Sequence, residues 1–376
     1  MSSRVLTATV ALMIAALACS PAERGRMETA QASGAAGDST TSAGADIPTT
    51  PAKPNQQMQA VLDQLAALHP RPITELPARE ARKQPSPADA VKALLKKQGK
   101  STAPEAVGSV VNRTIPGAGG PISVRIYTPK GQGPFPVVVY YHGGGWVIAN
   151  LDTYDASPRA LANLAKAVVV SSHYRQGPEH KFPAAHQDAF TAYRWVLANA
   201  KSLKGDSSKV AVMGESAGGN LAAAVSMMAR DSGAQLPVYQ VLVYPIAGSD
   251  VNTPSYQENA DAKPLNKPMM EWFFHKYLRT PEDGKNPLID LVHADLKGMP
   301  AATVITAQID PLRSEGQALA DRLKDAGAAV DYKNYDGVTH EFFGMGAVVD
   351  DAKQAEQQAA DGLRKGFASR TTATSQ

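Results

Sequence analysis

A serine stands between two glycines at the end of a short apolar segment, in KVAVMGESAGGNLAAAV. The pattern G-x-S-x-G is Gly214-Glu215-Ser216-Ala217-Gly218, at the point where a predicted strand ends and a predicted helix begins. In this setting the pattern is typical of a nucleophile elbow, a sharp turn that holds the serine hydroxyl above the sheet. The flanking glycines are needed because side chains there would collide. We therefore predict Ser216 as a nucleophile, with Gly214, Glu215 and Gly218 supporting its turn.

A serine hydroxyl does not ionise near neutral pH, so it needs a base, and the base needs a group that orients it. In chains with this elbow the order is serine, acid, histidine. Of the eight histidines, three follow Ser216: His275, His293 and His340. His275 lies in the apolar segment EWFFHKYL, where we expect a half-buried helix histidine, and His293 lies in an irregular segment. His340 follows a predicted strand on a turn, so we predict it as the base.

The acid must be chosen by position, because many carboxylates separate the serine from the histidine. Asp310 ends the apolar strand ATVITAQID and precedes Pro311, which cannot continue a strand ladder. It therefore stands at the carboxyl edge of a parallel sheet, where sites of α/β proteins are built. The alternative is Asp336, only four residues before His340, where support of the turn is the favoured interpretation. We predict Asp310 as the acid.

Three consecutive glycines follow a histidine in PFPVVVYYHGGGW, directly after a buried strand. Attack on an acyl carbon creates an oxyanion, and backbone N–H groups can reach it only where no side chain blocks them. An HGGG motif supplies such donors in lipases and esterases, together with the N–H of the residue after the nucleophile. We predict Gly143, Gly144, Gly145 and Ala217 as the oxyanion hole, with His142 as a structural hydrogen-bonding residue.

Short apolar runs alternate with helical patterns from about residue 108 onward, which predicts an α/β fold with a mostly parallel central sheet flanked by helices. The predicted domain spans residues 108–370 and is interrupted at about 248–290 by a segment with an aromatic cluster. Two amphipathic helices are predicted before it, within residues 55–107. The second of these has Ser86 as its N-cap and Pro87 at its first position.

Composition excludes several classes of protein. The 376 residues are 43% hydrophobic and 19% charged with a net charge of +3, so nothing favours a nucleic-acid partner. The single cysteine, Cys19, can form no internal disulfide. His180, His186 and Asp188 fit no standard metal spacing, and no phosphate-binding motif is present. We expect no metal and no cofactor.

The N-terminal segment has the pattern of an export signal rather than of a folded element. Residues 1–18 carry one arginine, an apolar run and small residues, and the run is too short to span a membrane. Ala16-Leu17-Ala18 fits ordinary signal cleavage, while Ala-Leu-Ala-Cys resembles a bacterial lipoprotein box in which Cys19 is lipidated. Both alternatives remain open, and both export the protein, to the periplasm, a membrane anchor or the medium. Residues 19–54 have the composition of a flexible tether.

Several motifs in order resemble the hormone-sensitive-lipase-like group of bacterial carboxylesterases, which have the α/β-hydrolase fold. The matching segments are HGGGW (142–146), YRQGPEHKFPAA (174–185), GESAGGN (214–220), DPLRSEG (310–316) and THEFF (339–343). The resemblance implies hydrolysis of small esters with short to medium acyl chains, without a cofactor. It also implies that the two N-terminal helices and the 248–290 insert form a cap over the acyl pocket.

The sequence departs from the group at Glu215, where aspartate or threonine is usual, and this substitution is expected to alter local acidity and pH preference. Two alternative functions remain. The same triad could hydrolyse amides, carbonates or polymer esters. The choice among these substrates depends on the leaving-group pocket, which residues of the predicted cap form, and the triad motifs do not determine it. Relatives that have lost the histidine bind small molecules without catalysis, but His340 is present here. Nothing in the sequence predicts an oligomeric state.

Overall fold

An eight-stranded, mostly parallel sheet forms the centre of the protein in this computed structural model, which describes residues 52–369. The strands are β1 (Ser109–Ile115), β2 (Ile122–Thr128), β3 (Phe135–Tyr141), β4 (Val168–His173), β5 (Gly205–Glu215), β6 (Gln240–Val243), β7 (Ala302–Ile309) and β8 (Val330–Thr339). Their order is β1-β2-β4-β3-β5-β6-β7-β8, with β1 and β2 antiparallel to their neighbours and the others parallel. The predicted fold class is confirmed.

Helices cover both faces of the sheet, which explains why the central strands are apolar along their whole length. The α-helices are α1 (Gln56–Ala67), α2 (Ala78–Ala81), α3 (Pro87–Lys97), α4 (Ala156–Ala165), α5 (Ala184–Asn199), α6 (Ala217–Asp231), α7 (Pro254–Glu258), α8 (Lys267–Tyr277), α9 (Arg313–Asp325) and α10 (Asp350–Ser369). In β3, for example, Val137, Val138 and Val139 are all fully buried although successive side chains point to opposite faces.

The carboxyl ends of four strands bring the predicted site residues to one edge of the sheet. Strand β3 ends immediately before His142, β5 before Ser216, β7 before Asp310 and β8 before His340. These strands run parallel, with β6 between β5 and β7, so their ends lie on the same side. The topology therefore gathers side chains that are up to 198 positions apart in the chain, from His142 to His340.

The N-terminal helices pack beside the histidine turn. Asn55 caps α1 by accepting a hydrogen bond from the backbone N–H of Met58 (2.9 Å). The same residue donates from its backbone N–H to Gly337 O (2.7 Å) and from its side chain to Asp351 (2.9 Å). The start of α1 is thus joined to the strand end that carries His340.

The second predicted N-terminal helix corresponds to α3, and its N-cap has the predicted form. Ser86 and Asp89 make a reciprocal capping box, and Pro87 occupies the first turn. The insert contains two α-helices, the short α7 and the aromatic-rich α8, followed by a short 3₁₀ helix at Pro281–Lys285. The predicted signal peptide, Cys19 and nearly all of the predicted tether lie outside the described residues. Within residues 52–369, no helix has both the length and the hydrophobicity needed to cross a membrane.

Candidate active site

Three predicted side chains form a hydrogen-bonded chain at the carboxyl edge of the sheet. His340 Nε2 lies 2.9 Å from Ser216 Oγ, and His340 Nδ1 lies 2.7 Å from Asp310 Oδ2. With its proton on Nδ1, the imidazole donates to the aspartate and accepts from the serine. Asp310 is fixed in turn, because its Oδ1 accepts the backbone N–H of Leu312 at 2.9 Å.

Neighbouring carboxylates stabilise the protonated form of His340. Burial alone would lower the pKa of His340, but the charge of Asp310 and its hydrogen bond raise the pKa above its ordinary value. Two further carboxylates, Glu341 and Glu215, act in the same direction. A histidine in this environment is a stronger base than one exposed to water.

Backbone strain presents the serine to the histidine. Ser216 has φ 57° and ψ −119°, a conformation that non-glycine residues rarely adopt. The turn is tightly packed, since a Cβ on Gly214 would lie 2.0 Å from Gly218 O, and one on Gly218 would lie 1.9 Å from Tyr141 O. Both flanking positions therefore require glycine, as the motif predicts. Ala217 begins α6 directly after the serine.

The three glycines after His142 are required because a side chain would collide with a neighbouring residue or because the backbone has a positive φ. A Cβ on Gly143 would lie 2.3 Å from the hydroxyl of Tyr154. Gly144 has φ +95°, and Gly145 has φ +57°, which L side chains rarely adopt. A Cβ on Gly145 would also lie 2.2 Å from the ring of Phe273 in the insert. The glycines thus let the insert, the serine turn and this loop approach one another closely.

His142 holds the glycine loop from beneath and is not aimed at Ser216. Its Nδ1 donates to Gly143 O (2.8 Å), and its Nε2 accepts from His173 Nδ1 (3.0 Å). Tyr174 OH donates to the carbonyls of His142 (2.8 Å) and Gly143 (3.1 Å). Burial lowers the pKa of His142 to about 3, so it stays neutral at physiological pH.

Glu215 lies fully buried behind the serine. It accepts hydrogen bonds from Tyr140 OH and Tyr244 OH, both at 2.5 Å. Burial raises the pKa of this carboxyl to about 7, against the opposing effect of its hydrogen bonds. The ring of Tyr244 packs against His340 with centroids 4.5 Å apart, so the carboxylate is linked to the histidine through one side chain.

A second acid beside the histidine was not singled out from the sequence. Glu341 Oε1 lies 4.0 Å from His340 Nε2 and accepts a hydrogen bond from Tyr154 OH at 2.5 Å. The only signal in the sequence was its place directly after His340. Tyr154, 186 positions before that histidine, carried no signal at all.

A cavity of about 1350 Å³ opens onto Ser216 and His340. Its walls include Leu62 and Ile73 from the N-terminal segment and Phe273 from the insert. Both segments therefore contribute to the space above the serine.

The alternative histidines and acid lie elsewhere. His275 is exposed on α8 rather than half-buried, because the aromatic residues of that helix occupy its inner face. His293 is also exposed and contacts Asp290. Asp336 is exposed and accepts a hydrogen bond from Asn334 at 3.0 Å. None of these residues takes the place of His340 or Asp310.

The sheet order and the strained serine turn at its carboxyl edge define an α/β hydrolase. The chain matches the family described as having the alpha/beta hydrolase fold over residues 138–344. It belongs to that family, in the hormone-sensitive-lipase-like group.

Several similar proteins are named as esterases or ester hydrolases. The chain is 40% identical over 249 residues to carboxylesterase NlhH of Mycobacterium tuberculosis, covering 65% of this chain and 78% of that one. It is 32% identical to the ethyl acetate hydrolase of Pseudomonas putida, over 78% of this chain and 92% of that one. The structure of a hyperthermophilic esterase from the archaeon Pyrobaculum calidifontis is similar, with a TM-score of 0.76, 38% identity, and coverage of 84% of this chain and 99% of that one.

The contact between Gly143 and Tyr154 predicts a coupled pair of mutations. Gly143→Ala should lower kcat/KM for p-nitrophenyl butyrate by about 10²–10³-fold, the loss expected if the glycine loop carries the predicted oxyanion donors. In the Tyr154→Phe background the same mutation should cost less, because the hydroxyl 2.3 Å from the new Cβ is absent. Gly145→Ala serves as control, since its conflict with Phe273 is unrelated to Tyr154. An equal cost of Gly143→Ala in both backgrounds would contradict the explanation.

Removal of the charge at Glu215 should shift the pH dependence of activity. Above about pH 7 this carboxyl is ionised, and its charge raises the pKa of His340. Glu215→Gln should therefore move the acidic limb of the kcat/KM profile to lower pH, on the order of half a unit. The measurement is hydrolysis of p-nitrophenyl butyrate between pH 5 and 9. A limb that stays in place or moves to higher pH would show that Glu215 is not coupled to the histidine.

Proposed function

We propose that the protein is an exported serine carboxylesterase for short- to medium-chain acyl esters. It is a carboxylic ester hydrolase by its family and relatives; the catalytic residues, the acyl range and the export are the proposal. The observation that carries it is the chain of hydrogen bonds from Ser216 through His340 to Asp310, at 2.9 and 2.7 Å. No metal or cofactor is required for this chemistry.

The proposed reaction has two steps. Ser216 Oγ attacks the ester carbonyl while His340 Nε2 takes the hydroxyl proton, and the protonated histidine then donates that proton to the leaving alcohol. Asp310 keeps the imidazole oriented and stabilises its charge. Water then attacks the acyl-enzyme with His340 again as base, which releases the acid and restores the serine.

Backbone donors around the serine support the oxyanion part of the proposal. Among the described residues, the N–H groups of Gly144, Gly145 and Ala217 donate to no backbone or side-chain acceptor. The N–H of Ala217 also lies at the positive end of α6. These groups are available to a developing negative charge, at no cost in broken internal hydrogen bonds.

The proposed acyl range predicts a maximum at short chains when the protein beginning near residue 50 hydrolyses p-nitrophenyl esters from acetyl to palmitoyl.

Loss of the serine or of the acid should lower turnover by different amounts. Ser216→Ala should reduce kcat by about 10⁶-fold, and Asp310→Asn by about 10⁴-fold. Asp336→Asn is the matched control and should retain activity. Hydrolysis that persists in Ser216→Ala, or equal losses in the two aspartate variants, would refute the assignment.

The export part of the proposal rests on residues 1–19. The positive charge, the apolar run and Ala16-Leu17-Ala18 favour cleavage before Cys19, and the only cysteine of the chain stands where a lipoprotein carries its lipid. The tether-like composition that follows fits a domain held away from a membrane surface.

A single substitution separates the two export routes. If Cys19 is lipidated, full-length protein expressed in a bacterial host should incorporate labelled palmitate and sediment with membranes, and Cys19→Ser should abolish both. Unmodified protein in the periplasm or medium, beginning at Cys19, would instead identify ordinary signal cleavage. Retention of an intact N-terminus in the cytoplasm would overturn export altogether.

A further inference from the structure

Glu341 adopts a backbone conformation that is costly for its residue type. It lies directly after His340 with φ 71° and ψ 3°, in the left-handed region. Glycine enters this region freely, whereas a residue with a Cβ does so at a cost in free energy. Strained residues at such positions are concentrated where a side chain has a functional task.

The side chain of Glu341 reaches the reacting end of the histidine. Its Oε1 lies 4.0 Å from His340 Nε2, the atom that also contacts Ser216 Oγ. Tyr154 OH fixes this oxygen by donating to it at 2.5 Å. The side chain is 21% exposed, and it lines the same cavity as the serine and the histidine.

The carboxylate retains capacity to accept hydrogen bonds. Two carboxylate oxygens offer about four acceptor positions, and Tyr154 supplies the one hydrogen bond to Glu341 found among the described residues. An oxygen atom can hydrogen-bond to two partners 4.0 Å apart when each bond is about 2.8 Å long. The space between His340 Nε2 and Glu341 Oε1 therefore suits an oxygen atom that carries two hydrogens and can donate one to each partner. In the proposed second step, that molecule is water.

We propose that Glu341 accepts a hydrogen bond from the second O–H of the water that attacks the acyl-enzyme, and so favours water over alcohols as acyl acceptor. This inference rests on the proposed function. The water oxygen bonds to the acyl carbon, its first proton passes to His340 Nε2, and the bond between the acyl carbon and Ser216 Oγ breaks as that proton returns to Oγ. The second O–H stays intact, hydrogen-bonded to Glu341, and leaves as the hydroxyl of the acid. An alcohol has a single O–H and cannot make both contacts.

A partition experiment tests this role independently of the rate-limiting step. Full-length protein hydrolyses p-nitrophenyl butyrate in buffer with methanol, and the ratio of methyl butyrate to butyrate is measured. Glu341→Gly should raise this ratio about tenfold, the effect expected for one lost hydrogen bond. Glycine suits the backbone at this position, so the variant should fold. Glu341→Gln is the matched control. Its amide oxygen can still accept a hydrogen bond, so this variant should retain most of the preference for water.

Acylation provides the readout that a purely structural role would change. Single-turnover release of p-nitrophenolate, with enzyme in excess, should differ by less than about twofold between Glu341→Gly and Glu341→Gln, because both variants lose the charge that raises the pKa of His340 and the first step involves no water. Much slower acylation in Glu341→Gly than in Glu341→Gln would mean that the glycine displaces His340 and would overturn the proposal, as would a product ratio in Glu341→Gly equal to that of the wild type. If wild-type protein releases no p-nitrophenolate, or if Ser216→Ala releases it equally, the proposed function itself fails instead.

Discussion

The close approach of two backbone turns is the constraint on which the site depends. Where β5 passes into α6, Gly218 lies so near the end of β3 that a Cβ would meet Tyr141 O at 1.9 Å. This contact sets the serine turn directly beside the glycine loop that follows β3. The proposed oxyanion donors belong to these two turns: the N–H of Ala217 to the start of α6, and those of Gly144 and Gly145 to the glycine loop. A side chain at Gly218 would separate the two turns, and with them the proposed donors.

Negative charge is distributed around the histidine on three sides. Asp310 holds Nδ1, Glu341 lies near Nε2, and Glu215 acts through Tyr244. The protein tolerates the buried Asp310 and Glu215 and the partly exposed Glu341 because each one accepts hydrogen bonds, which limits the cost of removing a charge from water. The arrangement makes the basicity of His340 a property of the whole site rather than of one aspartate.

Chain order and strand ends were enough to predict which side chains the structure brings together. Ser216, Asp310 and His340 each follow an apolar strand, and parallel strands place their ends at one edge. Tyr154 and Phe273 could not be found in this way, because their roles arise from contacts between segments far apart in the chain. Strand β1 was also missed: five of its seven residues are exposed, so it lacks the apolar alternation that marks a half-buried strand.

The contact between Phe273 and Gly145 ties the 248–290 insert to the glycine loop after β3. The ring of Phe273 fills the space that a Cβ on Gly145 would occupy, so helix α8, which lines the cavity above Ser216, and the loop after β3 are fitted to each other. In evolutionary terms, the two parts cannot diverge independently. If the insert were exchanged for one from a distant relative, its residues would no longer fit the loop after β3. New specificities should therefore arise more readily by substitutions along the cavity wall than by replacement of the whole insert.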